Sequence, residues 1–188
     1  MATVANAVDV IAEELHVPRG RVHQLARRLK EVGALPVGRG RFVPKIEPGH
    51  VVSLIISTCT DSGMANASAS TESYGALRYG GLRRGGLDPD NYPEPVKYNF
   101  YTAFDYLTVL FEKFAFEDGE AVRGYANCQI AFSKNWHEIT VSFDGKRECS
   151  FIEAGALADH WQNPAIHHCT TISGIAFGNI ARRLFGGK

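Results

Sequence analysis

Residues Val8 to Arg28 constrain the fold of this chain more tightly than any other stretch. Ile11, Ala12 and Leu15 recur on one helical face, Val17 follows a short break, and Val22 and Leu25 resume the same spacing beyond it. Two short helices that cross closely at a turn satisfy this pattern, with Ala12 small where a larger side chain would hold them apart. The residues left outside are Arg19, Arg21, His23, Gln24, Arg27 and Arg28. An ordinary surface helix would mix acids among them. The spacing therefore predicts a helix-turn-helix with a basic second helix.

The ends of both helices are marked. Thr3 is a candidate N-cap for a first helix running to Leu15, and His16 falls where the turn needs a left-handed residue, a conformation in which His is enriched. Pro18 is expected to open the second helix as its first residue, and Gly33 to close it. The next segment, Ala34 to Pro44, is too rich in Gly and Pro for a helix and too basic for a core strand, so it reads as a wing or arm. Its Arg39-Gly40-Arg41 resembles the centre of AT-hook motifs, which place arginines in a narrow minor groove, although Phe42 stands where those motifs carry proline. A solvated basic loop and a groove-inserting arm both fit this composition, and either adds attraction for phosphate. Pro48-Gly49-His50 followed by Val51 to Ser57 is ambiguous between strand and helix, and is taken as a helix covering the first two. The result is a three-helix, winged unit.

Charge singles out the same region. Between His16 and Lys45 there are eight bases against one acid, Glu31, while the whole chain has a formal net charge of zero. A local +7 thus sits on a body of −7, which is the footprint of a polyanion-binding surface rather than of a basic protein. The expected partner is double-stranded DNA, met by Arg19, Arg21, His23, Gln24, Arg27 and Arg28 on the second helix and by Arg39, Arg41 and Lys45 on the arm. Gln24 and Arg21 suit adenine and guanine edges respectively. A unit this small usually acts as a dimer or larger, so a homo-oligomer is expected.

The remainder divides at about residue 60 and again at about 95. Residues 61–95 read as a connector, in part helical between Met64 and Leu77, with a non-helical double-glycine stretch from Gly80 to Gly86. Of 20 aromatic residues only Phe42, Tyr74 and Tyr79 precede residue 92, so a second core lies within 96–188. Phe100, Phe104, Leu107, Phe111 and Phe114 predict an amphipathic helix ending near Asp118-Gly119. Cys128 to Phe132, Glu138 to Phe143 and Glu148 to Ile152 predict a three-stranded antiparallel meander turning at Ser133-Lys134-Asn135 and Asp144-Gly145. A last helix from Thr171 to Phe185 carries the stripe Ile172, Ile175, Ala176, Ile180 and Leu184, with Gly174 and Gly178 four apart for close packing. The fold class is α+β: a helix-turn-helix domain at 1–60, a connector, and a body that serves oligomerisation or a protein partner.

Other chemistries are poorly supplied. Cys59, Cys128, Cys149 and Cys169 are widely spaced, which fits reduced thiols in a cytoplasmic protein, and no apolar run nears the roughly 20 residues that span a bilayer. His160, His167, His168 and Cys169 match no standard zinc spacing, so no metal or other cofactor is expected. His137 and Glu138 adjoin in a proposed strand, where neighbours face opposite ways, and Gly80 to Gly86 lacks the Lys-Ser/Thr end of a phosphate loop. No catalytic set emerges.

From Val8 to about Ser57, the helix-turn-helix, the Val32-Gly33-Ala34-Leu35-Pro36 exit, the Gly-Arg-Gly-Arg arm and the Pro48-Gly49-His50 helix start together resemble the N-terminal part of small DNA-binding proteins of phages, prophages and phage-derived gene transfer elements. The likeness covers under a third of the chain. It implies a DNA-recognition protein working in a bacterial host cell, either a transcriptional regulator or the small, DNA-selecting subunit of a packaging terminase. An adaptor that binds protein instead of DNA is the remaining alternative.

Overall fold

Thr3 opens the first helix, α1 (Val4–Glu14), its hydroxyl accepting the backbone N–H of Asn6 at 3.2 Å. Val4, Ala7, Val8, Ile11 and Ala12 form the buried stripe. The helix closes in a Schellman motif: His16 takes a φ of +52°, its N–H reaches the carbonyl of Glu13, and the N–H of Val17 reaches that of Ala12 at 3.0 Å. The second helix, α2 (Arg19–Glu31), closes the same way on Gly33, whose φ of +79° lets Ala34 donate to Leu29 at 2.9 Å and Gly33 to Lys30 at 3.1 Å. Pro18 precedes this helix as its N-cap instead of starting it, because its ψ of 124° is extended.

The structure is a computed structural model that describes residues 2–38, 42–60, 63–82, 102–117, 120–144, 147–154, 156 and 168–186. Within them the ambiguous segment after Pro48 is a helix, α3 (Pro48–Thr60), and every residue from Val51 to Thr60 is buried. A helix buried on every side belongs in the interior, and two of its hydroxyls are bonded within it, Thr58 donating to the Leu54 carbonyl at 2.7 Å and Thr60 to that of Ser57 at 3.5 Å. A 3-10 turn at Met64–Asn66 leads to α4 (Ala67–Gly75).

The body is built on a five-stranded antiparallel sheet. Its strands are β1 (Arg78–Leu82), β2 (Gln129–Ser133), β3 (Glu138–Phe143), β4 (Arg147–Ile152) and β5 (Cys169–Ser173), in the spatial order β1-β4-β3-β2-β5. The three strands expected from sequence are its centre, with Ile139 opposite Phe132 and Phe151. Both edges correct the sequence expectation. Arg78 to Leu82 is not a connector but pairs with β4, since backbone bonding needs no side chain at Gly80, where the Ile152 side chain fills the space instead. Thr171 to Ser173 is not the start of the last helix but the end of β5, paired with β2.

Ile130, Phe132, Ile139, Val141, Phe143, Cys149, Phe151 and Ile172 are buried on the inward face of the sheet. Over that face lie α3, α5 (Ala103–Phe116) and α7 (Gly174–Phe185), with α6 (Glu120–Ala126), not anticipated from sequence, beside the last. Tyr106 packs 5.2 Å from Phe151, Phe111 meets Phe177 edge to face at 5.3 Å, and Gly178 lies against the Phe114 ring. The buried stripe of α7 is Phe177, Ile180, Ala181 and Leu184, whereas Ile175 is exposed. A single hydrophobic cluster runs from Ala2 to Leu184, so the N-terminal helices and the sheet share one core.

Candidate nucleic-acid interface

Val22, Leu25, Ala26 and Leu29 pin one side of α2 into the core and thereby fix what the other side presents. Arg19, Gly20, His23, Gln24, Arg27 and Arg28 are exposed, Arg21 is half-buried, and Lys45 is exposed at the end of the arm. Side-chain exposures of 65% for Arg19, 76% for Arg27 and 52% for Arg28 leave the guanidinium groups open to a ligand. Arg39 and Arg41 lie outside the described residues. The sequence-derived residues that can be placed therefore fall on one helix face and at one end of the arm.

Two carboxylates stand among these cations. Asp9 of α1 accepts the Arg19 Nε, and Glu31 accepts both the Arg28 terminal nitrogen at 2.8 Å and the Arg27 Nε at 3.2 Å. The Arg28 bond, ahead of the charge beside it, holds the Glu31 carboxyl below its ordinary range. Exposed pairs of this kind bind weakly, so phosphate oxygens can displace the carboxylates from the arginines. No side chain caps the start of α2, and nothing lies within 4 Å of where a Cβ on Gly20 would sit.

The arm has fixed ends. Leu35 and Ile46 are buried, the Leu35 N–H reaches the Leu29 carbonyl at 3.2 Å, and the Ile46 N–H reaches that of Ala2 at 3.2 Å. It therefore hangs from the end of α2 and the beginning of α1.

A second polar cluster escaped the sequence reading. His137 lies in the turn before β3, not in the strand, and its Nδ1 sits 2.7 Å from Glu153 Oε1, with the Tyr74 ring edge-on at 4.9 Å. Glu138 next to it is buried, accepting the Trp136 indole N–H at 2.5 Å and the Thr140 hydroxyl at 3.2 Å. Lys134, Asn135, Trp136, His137 and Glu153 line a hollow of about 250 Å³ there. Partners sixteen residues apart give no local pattern to find.

Cys59, Cys128 and Cys149 are buried, which pushes each thiol up to about 12, and Cys169 is exposed on β5. Among the described residues no three His, Cys, Asp or Glu side chains come together as metal ligands; His160 and His167 lie outside them. His168 is engaged through its backbone, donating to Asn135 Oδ1 at 2.6 Å and accepting from Lys134 at 2.8 Å. No helix among the described residues is long and apolar enough to cross a membrane. Comparisons with protein-family models, with curated proteins and with solved structures gave no match.

Proposed function

We propose that this chain is a non-enzymatic, double-stranded DNA-binding protein that acts as a transcriptional regulator. In this reading α1, α2 and α3 with the 36–45 arm are a winged helix-turn-helix, and α2 is the recognition helix laid in the major groove. The observation that carries it is the outer face of α2. Arg19, His23, Gln24, Arg27 and Arg28 share that exposed face, while its opposite side is locked into the core. Arginines there neutralise phosphates, Gln24 offers a bidentate amide to adenine, and Arg21 reaches toward guanine. Arg39, Arg41 and Lys45 extend the contact along the backbone from the arm. The body holds two copies at a fixed spacing, so the bound site is a palindrome with half-sites about one helical turn apart.

Selection of duplexes from a random-sequence pool tests this. A regulator enriches one palindromic or near-palindromic sequence, and the mass of the protein in solution is that of a dimer. A ring of many copies points to DNA packaging instead, and a pool that is never retained at low salt points to a protein-binding adaptor.

A further inference from the structure

Seven large apolar side chains are exposed among the described residues, and four of them, Val32, Val37, Phe42 and Val43, fall within one short stretch of chain. Single exposed apolar residues are ordinary on a protein surface, but a cluster marks a contact. Phe42 is 70% exposed, Val43 66% and Val37 60%. The last three lie on the arm, between the buried anchors Leu35 and Ile46. The arm is also narrow: a Cβ on Gly38 would meet the Phe42 carbonyl oxygen at 2.7 Å, so the two limbs approach more closely there than any residue but glycine allows.

The charges around the cluster select its partner. From Val32 to Ile46 the sequence contains Arg39, Arg41 and Lys45 and not one acid. The centre of a protein–protein contact is depleted in charge, whereas apolar wedges set among cations are the means by which proteins enter a minor groove and part its base steps. Resting on the DNA-binding reading above, we propose that the arm enters the minor groove of bound duplex, where Phe42 wedges into one base step and bends the DNA, with Val37 and Val43 against the groove walls.

The probe is an A/T-rich duplex of about 30 base pairs with a fluorescent donor and acceptor on its ends. Saturating full-length protein at low salt is expected to shorten the end-to-end distance by a bend of roughly 20–90°. Phe42→Ala should abolish the bend and weaken binding about tenfold, the scale of one lost base–aromatic contact. Its salt slope should be unchanged, since no phosphate contact is removed. Phe42→Trp should keep the bend. Because Phe42 is exposed, the thermal melts of both variants should match the parent. A wild-type bend in Phe42→Ala overturns the wedge, as does a Phe42→Ala protein whose solution mass halves while its bend persists, for then a second copy covers the patch. Full-length protein that binds without bending removes the wedge alone; protein that does not bind at low salt removes the DNA-binding function with it.

Discussion

Arg183, near the end of the last helix, donates to Glu14 at 2.8 Å and to Glu13 at 2.7 Å, and so ties the C-terminal helix to α1 across 169 and 170 residues of chain. Asn179 adds a bond to Glu14 at 3.1 Å. These contacts sit over the shared core and fix α1 on the body.

The Arg183 bond is the largest cause holding the Glu14 carboxyl below its ordinary value of 4.5. A carboxyl depressed in the folded state stabilises it fully above the unfolded value and loses that contribution as pH falls through the folded one. Arg183→Ala should therefore cost about 1 kcal/mol at neutral pH, the scale of a partly exposed charged pair. The gap between variant and parent should close once the pH drops well below 4.5. Urea melts at a series of pH values check both parts.

His16 holds the turn with a φ of +52°, a conformation that strains any residue with a Cβ. His16→Gly should raise stability by about 0.5–1 kcal/mol, and His16→Val should lower it by at least as much, because a β-branched side chain tolerates that region least. Both are read from the denaturation midpoint.

Gly20 sits in the first turn of α2, exposed, with open space where a Cβ would go. Glycine is worse than alanine in a helix by about 1 kcal/mol, so Gly20→Ala should stabilise the free protein. If the duplex backbone passes over this turn, the added methyl should weaken DNA binding severalfold. Thermal melting and DNA titration of the same variant separate the two effects.

Thiol chemistry should distinguish one cysteine from three. Burial pushes Cys59, Cys128 and Cys149 up to about 12, leaving almost no thiolate at pH 8, while Cys169 is exposed. Brief alkylation of native protein should add one label, at Cys169, and denaturation should release the other three.

Much of the N-terminal half was legible because its signals are local. The period of Ile11, Leu15, Val22 and Leu25, the cap at Thr3 and the closing residues His16 and Gly33 each act within one or two turns of helix. The strands β2 to β4 announced themselves by alternation and by the Asp144 turn, whose φ is +53°. What escaped depends on partners far along the chain. Arg78 to Leu82 becomes a strand only because Ile152 and Phe151 lie opposite, and the Cys169–Ser173 edge only because β2 does. Ile172, on helical spacing with Ile175 and Ala176, belongs to the sheet for the same reason. The outer face of α2 was readable as a stripe of side chains, but the carboxylates beside it divide: Glu31 is four residues from Arg27, while Asp9 reaches Arg19 only once the helices have crossed.

DNA binding by the face of α2 is tested most directly by anisotropy of a labelled duplex titrated with full-length protein at several salt concentrations, for the parent and for Arg27→Ala/Arg28→Ala. Five phosphate contacts give a slope of log affinity against log salt near about −4.5, and removing two makes it shallower by about 1.8 while the melting temperature stays put. A parent that does not bind at low salt, or a double variant with the parent's affinity and slope, contradicts it.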